Sequence, residues 1–581
     1  MLFKRLTATL GVLALLTAAC GPAATATPAS APTTTTRSTP SATATRSPAT
    51  TATVVPTPAP TPAVASSGPK YGGVFRNYVP RDMRVWDLQK EPGQDYPTQY
   101  SQTAVFSRLV QWEHAKADTC DNPLAANVAE SYKFADDRTL DVKLRPDVRF
   151  HNKPPVNGRA MTADDVVFSF QRAKQVGLSG AITPYTAVME KVEATGPLTV
   201  RFRFSEPFAL APQTLLSSNM VAFILPPEAG GPGPDKDYSN PTKSWIGTGP
   251  FMFKEWVPGV RISFSRNPNY FKPGMPYLDG IENVVIPDAA TQFAAFTSGK
   301  LDALLRIPPT MVQTFRKTQP NAVISGCPYY SAFGTIWLRT DKAPLNDVRV
   351  RRALNMAIDR QAIIDTLFLG EGEILTLIPS QYGGYALMPK DLAPEVRRYV
   401  EYRPDEAKKL LAEAGFPNGL NLTLETTRDF GSPFNESQEA MLAMWAKVGI
   451  KVEAKWHERG TFSMRPLQGN YDEMGWTRSA EVGYPFSLSS LHSKSEPGAN
   501  RSRVADPELD RTIDKFKAAF DEKEQMALVR EIQRRVVDMA YVIQQPTPLE
   551  YAVVHPYVKN FGRMAHQSRS ATIYERMWYE K

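Results

Sequence analysis

The chain has 581 residues, 42% of them hydrophobic and 22% charged, enough to bury a large core spread over more than one domain. Its formal net charge is +8, yet the basic residues are interleaved with acids instead of forming a stripe. That pattern excludes a nucleic-acid-binding surface in favour of an ordinary solvated one. At the N-terminus, Lys4 and Arg5 precede an apolar run from Leu6 to Leu16, and Thr17, Ala18 and Ala19 lead to Cys20. The run is too short to span a bilayer as a mature helix, so residues 1–19 read as a signal peptide. Residues 20–69 are almost entirely Ala, Thr, Pro and Ser, with charges only at Arg37 and Arg46. Such a segment cannot build a core and predicts an extended tether.

Folding is expected to begin near Lys70, with a first strand in YGGVFRNYV and a helix over Thr98 to Leu109. Leu140, Val142 and Leu144 alternate with charged residues, the period of a strand with one buried face. Asn157-Gly158 supplies a turn, and Thr162 with Asp165 forms a capping box for a helix that buries Val166, Val167, Phe170 and Ala173. Phe251 and Phe253, then Ile262 and Phe264, alternate about Pro258-Gly259 and predict a hairpin. A helix from Ala289 to Gly299, a strand in LDALLRIPP and a strong β run from Tyr329 to Leu338 follow. DVRVRRALNMAIDRQAIIDTLFLG reads as one helical run capped by Asp347, with Arg349, Arg351 and Arg352 on a solvated face. Further on, helices (404–414, 436–448) alternate with strands (420–424, 450–456), which argues for α/β lobes. Two amphipathic helices close the chain.

Motifs of chemistry are sparse. The six histidines are scattered, and Cys120 and Cys327 lack CxxC spacing, so no local zinc site is expected. The two cysteines could pair in an oxidising compartment, and two free thiols are equally compatible with the sequence. The glycines of IGTGPF lack the Lys-Ser/Thr of a phosphate loop and read as a tight turn.

One ordered run is specific. VAES at 128–131, LRPDVRFH at 144–151, the Asn-Gly turn and MTADDVVFSFQR at 161–172 resemble the signature of the family 5 extracellular solute-binding proteins. These are the peptide- and nickel-binding receptors of ABC importers. IGTGPF resembles the family's return into its large lobe, and the resemblance spans about residues 70 to 581. It implies an α/β, two-lobe periplasmic-binding-protein fold of type II. Residues 70–109, 241–327 and 551–581 would form the large N-terminal lobe, 110–240 an inserted small domain, and 328–550 the second lobe. It implies no catalysis, no cofactor and no metal. The partners implied are a small-molecule or peptide solute, the permease and ATPase subunits, and no nucleic acid, with the protein a monomer.

The same resemblance singles out cleft residues. Tyr96 and Tyr185 match ligand-contacting tyrosines. Trp476 in GWTRS matches the Trp-x-x-Asp element whose Asp pairs with a peptide's α-ammonium, but Ser479 stands where that Asp would be. Without the carboxylate a desolvated ammonium loses its counter-charge, and Arg478 adds a like charge. Glu481 could substitute, about 7 Å further along a strand. The expected solute is therefore a peptide with another anchor, or an uncharged or acidic solute such as an oligosaccharide stacked on Trp476. LLTAAC resembles a lipobox, with Thr17 and Leu16 displaced from the usual pattern, which implies a lipid on Cys20 and a place on the extracellular face of the membrane. A ligand-sensing receptor of the same fold and an extracellular hydrolase are the rival expectations.

Overall fold

The computed structural model describes residues 68–83, 86–87, 89, 96–113, 123–176, 186–218, 221–232, 236–328, 332–458, 461–462, 465, 468–479, 485–561 and 574–580. The signal and tether segments, and with them Cys20, lie outside the described residues. The first strand, β1 (Val74–Val79), leads to helix α1 (Tyr96–Val105). That helix ends four residues before the expected Leu109. Beside them an inserted antiparallel sheet is built from β2 (Ala129–Asp136), β3 (Thr139–Leu144), β4 (Met189–Gly196) and β5 (Thr199–Phe204), in the order β2-β3-β5-β4. Leu140, Val142 and Leu144 are all buried, as their alternation requires.

Helix α2 (Ala163–Gln175) lies between β3 and β4 in the chain. Its start is set locally: Asn157 and Gly158 take φ of 53° and 70°, and the Thr162 N–H donates to Asp165 Oδ2 at 2.8 Å. The acid at this position satisfies one of the helix's orphan donors. Phe170 then meets Phe202 of β5 edge-on at 4.9 Å, both fully buried. Each such ring contributes about 1.5–3 kcal/mol by leaving water.

The chain returns through β6 (Phe251–Val257) and β7 (Arg261–Arg266), the expected hairpin, and β8 (Gly280–Val285). With β1 these form one sheet, ordered β1-β8-β7-β6, in which β1 pairs with β8 in parallel. The GTGP turn before β6 lets two chains touch. The Gly249 N–H donates to the Val105 carbonyl at 2.8 Å, and a Cβ on Gly247 would sit 2.1 Å from that oxygen. Only glycine fits such an approach.

Helix α3 (Ala289–Thr297) precedes β9 (Ala303–Ile307), which joins β10 (Val323–Pro328) in a small sheet. The second lobe's sheet begins at β11 (Ala332–Leu338). Where one helical run was expected there are two helices, α4 (Val348–Met356) and α5 (Arg360–Leu367). The break follows from Asp359, whose side chain accepts the Ala362 N–H at 2.9 Å and caps a new helix. The expectation of a solvated basic face is corrected for two of the three arginines. Arg351 is 3% exposed and donates to the carbonyls of Leu345 and Met539, while Arg352 pairs with Asp538 at 2.6 Å. Arg349 stays at the surface, paired with Asp347.

Helix α6 (Pro404–Glu413), β12 (Leu420–Thr426), α7 (Phe434–Lys447), β13 (Ile450–Trp456) and β14 (Met474–Ser479) follow. After α8 (Pro507–Ala518) and α9 (Glu522–Met539), β15 (Val542–Gln544) completes the second sheet, ordered β13-β12-β14-β11-β15. β16 (Thr547–Val554) crosses back to pair between β9 and β10. The second sheet and helices α4 to α7 share their own core, including Leu354, Leu422, Leu424, Met441 and Trp445. That core is distinct from the one under the inserted sheet and β1.

Candidate functional site

β12, β13 and β14 run parallel, and β15 runs with them through its antiparallel pairing to β11. Their carboxyl ends and the amino end of β11 therefore lie along one edge of the second sheet. Both chain crossings, from Pro328 to Ala332 and from Gln544 to Thr547, leave from this edge toward the sheet that holds β9, β16 and β10. Ligands of open α/β sheets bind beyond the carboxyl ends of the strands, and an edge at the crossings is where two lobes can close on a solute.

Trp476 and Ser479 sit at the end of β14, Trp476 opposite Ile336 and Ser479 opposite Ala332. The Trp476 ring is fully buried and lies 5.9 Å from Phe434 at the start of α7. Its Nε1 has no hydrogen-bond partner. Gln545, also fully buried, donates its backbone N–H to the Gly334 carbonyl at 2.9 Å. Neither Oε1 nor Nε2 of its side chain has a partner. On the same side Gln438 Nε2 donates to Thr426 Oγ1 at 2.6 Å, while Gln438 Oε1 and Ser437 Oγ are unpartnered. On the opposite side Glu425 is held by Arg465 at 2.7 and 2.9 Å, with His457 Nε2 at 3.2 Å. That carboxylate is already neutralised.

The second crossing is fixed from below. Arg360 donates to the Gln544 carbonyl at 3.0 Å and to the carbonyls of Asn355 and Val400. Burial among neutral acceptors pushes its guanidinium down to about 10. On the first crossing, Cys327 at the end of β10 is disulfide-bonded. The chain's other cysteines, Cys20 and Cys120, lie outside the described residues.

Of the residues picked out in the sequence, β14 brings Trp476, Arg478 and Ser479 to the edge. The side chains of Arg478 and Ser479 lie outside the described set. Tyr96 is the first residue of α1, again without a described side chain, and Tyr185 and Glu481 lie outside the described residues. Gln545, Gly334 and Gln438 were not anticipated. An amide pair before Pro546 was the available signal for Gln545. Among the described residues no group of three or more His, Cys, Asp or Glu could hold a metal ion. No helix there is long and apolar enough to cross a membrane.

A family model for bacterial extracellular solute-binding proteins, family 5 middle, matches residues 124–499. The chain belongs to this family. Heme-binding protein A of Haemophilus influenzae is 29% identical over 489 residues, covering 79% of this chain and 85% of that protein. Di/tripeptide-binding protein 1 of Pseudomonas aeruginosa is 28% identical over 486 residues, covering 78% and 84%. In fold this family 5 protein is similar to the periplasmic binding protein DppA of Helicobacter pylori in complex with the peptide STSA. That match has a TM-score of 0.72 at 23% identity and covers 88% of this chain and 99% of that one. The sheets above are thus those of the two-lobe type II fold with an inserted small domain. As a family 5 member, the chain is an extracellular solute-binding protein.

Proposed function

We propose that the protein captures a peptide or peptide-like solute between its lobes and delivers it to an ABC import permease. Membership of family 5 across residues 124–499 carries the reading. The peptide class is supported by relatives such as the di/tripeptide-binding protein of Pseudomonas aeruginosa, matched over most of its length. Sequence similarity alone does not fix the solute, since a heme-binding protein matches as well. The chemistry of the edge narrows it: on the Trp476 side the unpartnered groups are carboxamides, a hydroxyl and an indole N–H, none of them ionic.

The large lobe is assigned to residues 70–109, 241–327 and 551–581, the inserted domain to 110–240 and the second lobe to 328–550. Tyr96, Tyr185, Trp476, Arg478, Ser479 and Glu481 are the proposed solute contacts. With Ser479 in place of an acid, the α-ammonium is not the main anchor. Solute contacts from both lobes stabilise the closed state, which the permease recognises. A lipid on Cys20 and the Pro/Thr/Ala-rich segment hold the folded part at the outer face of the membrane. Native mass spectrometry of the protein isolated from its own cells tests the reading. Retained masses that sequence as short peptides support it, and a retained sugar or porphyrin overturns it.

A further inference from the structure

We propose that the Gln545 carboxamide, together with the Trp476 indole N–H, is the anchor of this site and binds a peptide group of the solute. The inference rests on the peptide reading above and adds the residues that would recognise the main chain. Gln545 is fully buried, yet neither of its side-chain polar atoms has a hydrogen-bond partner, and Trp476 Nε1 is in the same condition. The groups converge on one point. A Cβ built on Gly334 would lie 2.3 Å from Gln545 Oε1, 2.7 Å from Trp476 Nε1 and 3.0 Å from the Phe434 ring. Glycine at 334 leaves that point free of side chain.

Buried polar groups in folded chains are nearly always paired, and leaving one unpaired costs stability. Gln545 has little freedom to find a partner within the chain. Its N–H is committed to Gly334, and the preceding carbonyl is gripped by Arg360. Gly334 has no side chain and Phe434 offers only an apolar one. A solute reaching the edge where both crossings converge would supply the partner that neither group has in this structure. What is offered is one acceptor, Oε1, and N–H donors on Nε2 and Nε1. A peptide group has the complementary pair, an N–H that donates and a carbonyl that accepts. A carboxylate or ammonium placed here would be desolvated without a counter-charge. An anchor of this type reads the main chain and tolerates varied side chains.

The test is Gln545→Met, which keeps the length of the side chain and removes both polar atoms, with Gln545→Glu as a second variant of nearly the same shape. Thermal unfolding is followed with and without trialanine and, separately, with cellotriose. Gln545→Met is expected to unfold at a higher temperature than wild type when no solute is present, because an unpaired buried amide has been removed. Its trialanine affinity should fall by about tenfold or more. Gln545→Glu should also lose trialanine binding, through the buried charge. The anchor is overturned if wild type binds trialanine and Gln545→Met binds it equally well. It is also overturned if Gln545→Met lowers the unfolding temperature without solute. Wild type that binds cellotriose and not trialanine overturns the peptide reading itself, and the anchor's ligand class with it.

Discussion

Acidification offers a quantitative check on the packing of the stretch before α2 against the GTGP turn, through His151. The imidazole is fully buried. Its Nδ1 accepts the Gly247 N–H at 3.3 Å and its Nε2 donates to the Gly249 carbonyl at 3.0 Å, which is the neutral ring in one tautomer. Burial pushes it down from 6.5 to about 4, with the Gly249 carbonyl opposing and Lys153 adding to the fall. The unfolded chain would take up a proton near 6.5 and the folded chain only near 4. Stability from this group is therefore fully present above about pH 6.5 and is lost as pH falls toward 4. At about 1.4 kcal/mol per unit, the whole gap is worth about 3 kcal/mol, of which roughly 1.4 should be lost by about pH 5.5 and about 2.6 by about pH 4.5. His151→Gln can make both hydrogen bonds without titrating. Denaturant unfolding of wild type and variant across this range should give stability differences that narrow, or reverse, by those amounts. Parallel curves, or a His151 ring signal titrating near 6.5 by NMR, would refute the reasoning.

Four further predictions concern stability. Gly249→Ala puts a Cβ 2.6 Å from the backbone of Ala104 and Val105, so it should cost about 1–3 kcal/mol or more in thermal unfolding. Gly259→Ala, with φ +70° and nothing within 4 Å, should cost only the left-handed penalty of about 1–2 kcal/mol. Arg172→Met removes the guanidinium that meets the buried Asp87 carboxylate at 2.5 Å, both side chains being 5% exposed. A loss of about 3–5 kcal/mol is expected in denaturant unfolding, and Asp87→Leu in the same chain should return part of it. Reductant should lower stability by about 2–4 kcal/mol through the Cys327 disulfide. Alkylation of the unreduced, unfolded chain followed by mass mapping should leave Cys327 unmodified, and its labelling would contradict the bond.

Local rules made much of the fold legible. The Thr162–Asp165 cap, the positive-φ turn at Asn157-Gly158 and the hairpin of Phe251 to Arg266 each depend on a few neighbouring residues, and each formed where expected. The break between Met356 and Arg360 was harder to see, because hydrophobic period continues across it and only the Asp359 cap interrupts the helix. Arg351 looked like a surface residue because its acceptors are backbone carbonyls as remote as Met539, which leave no trace in a sequence pattern. The edge of the second sheet shows the same limit. Trp476 and Ser479 could be located through a motif on one strand. Gln545 acquires meaning only when Gly334, Trp476 and Phe434 are packed against it, and those four residues come from four separate stretches of chain.

The most direct test of the central claim is titration calorimetry of the purified protein with a panel of di-, tri- and tetrapeptides set against oligosaccharides of similar size. The account predicts saturable binding of peptides at one site per chain, with N-acetylation of the peptide costing little because the α-ammonium is not the anchor. Saturable binding of an oligosaccharide with no heat from any peptide would contradict it.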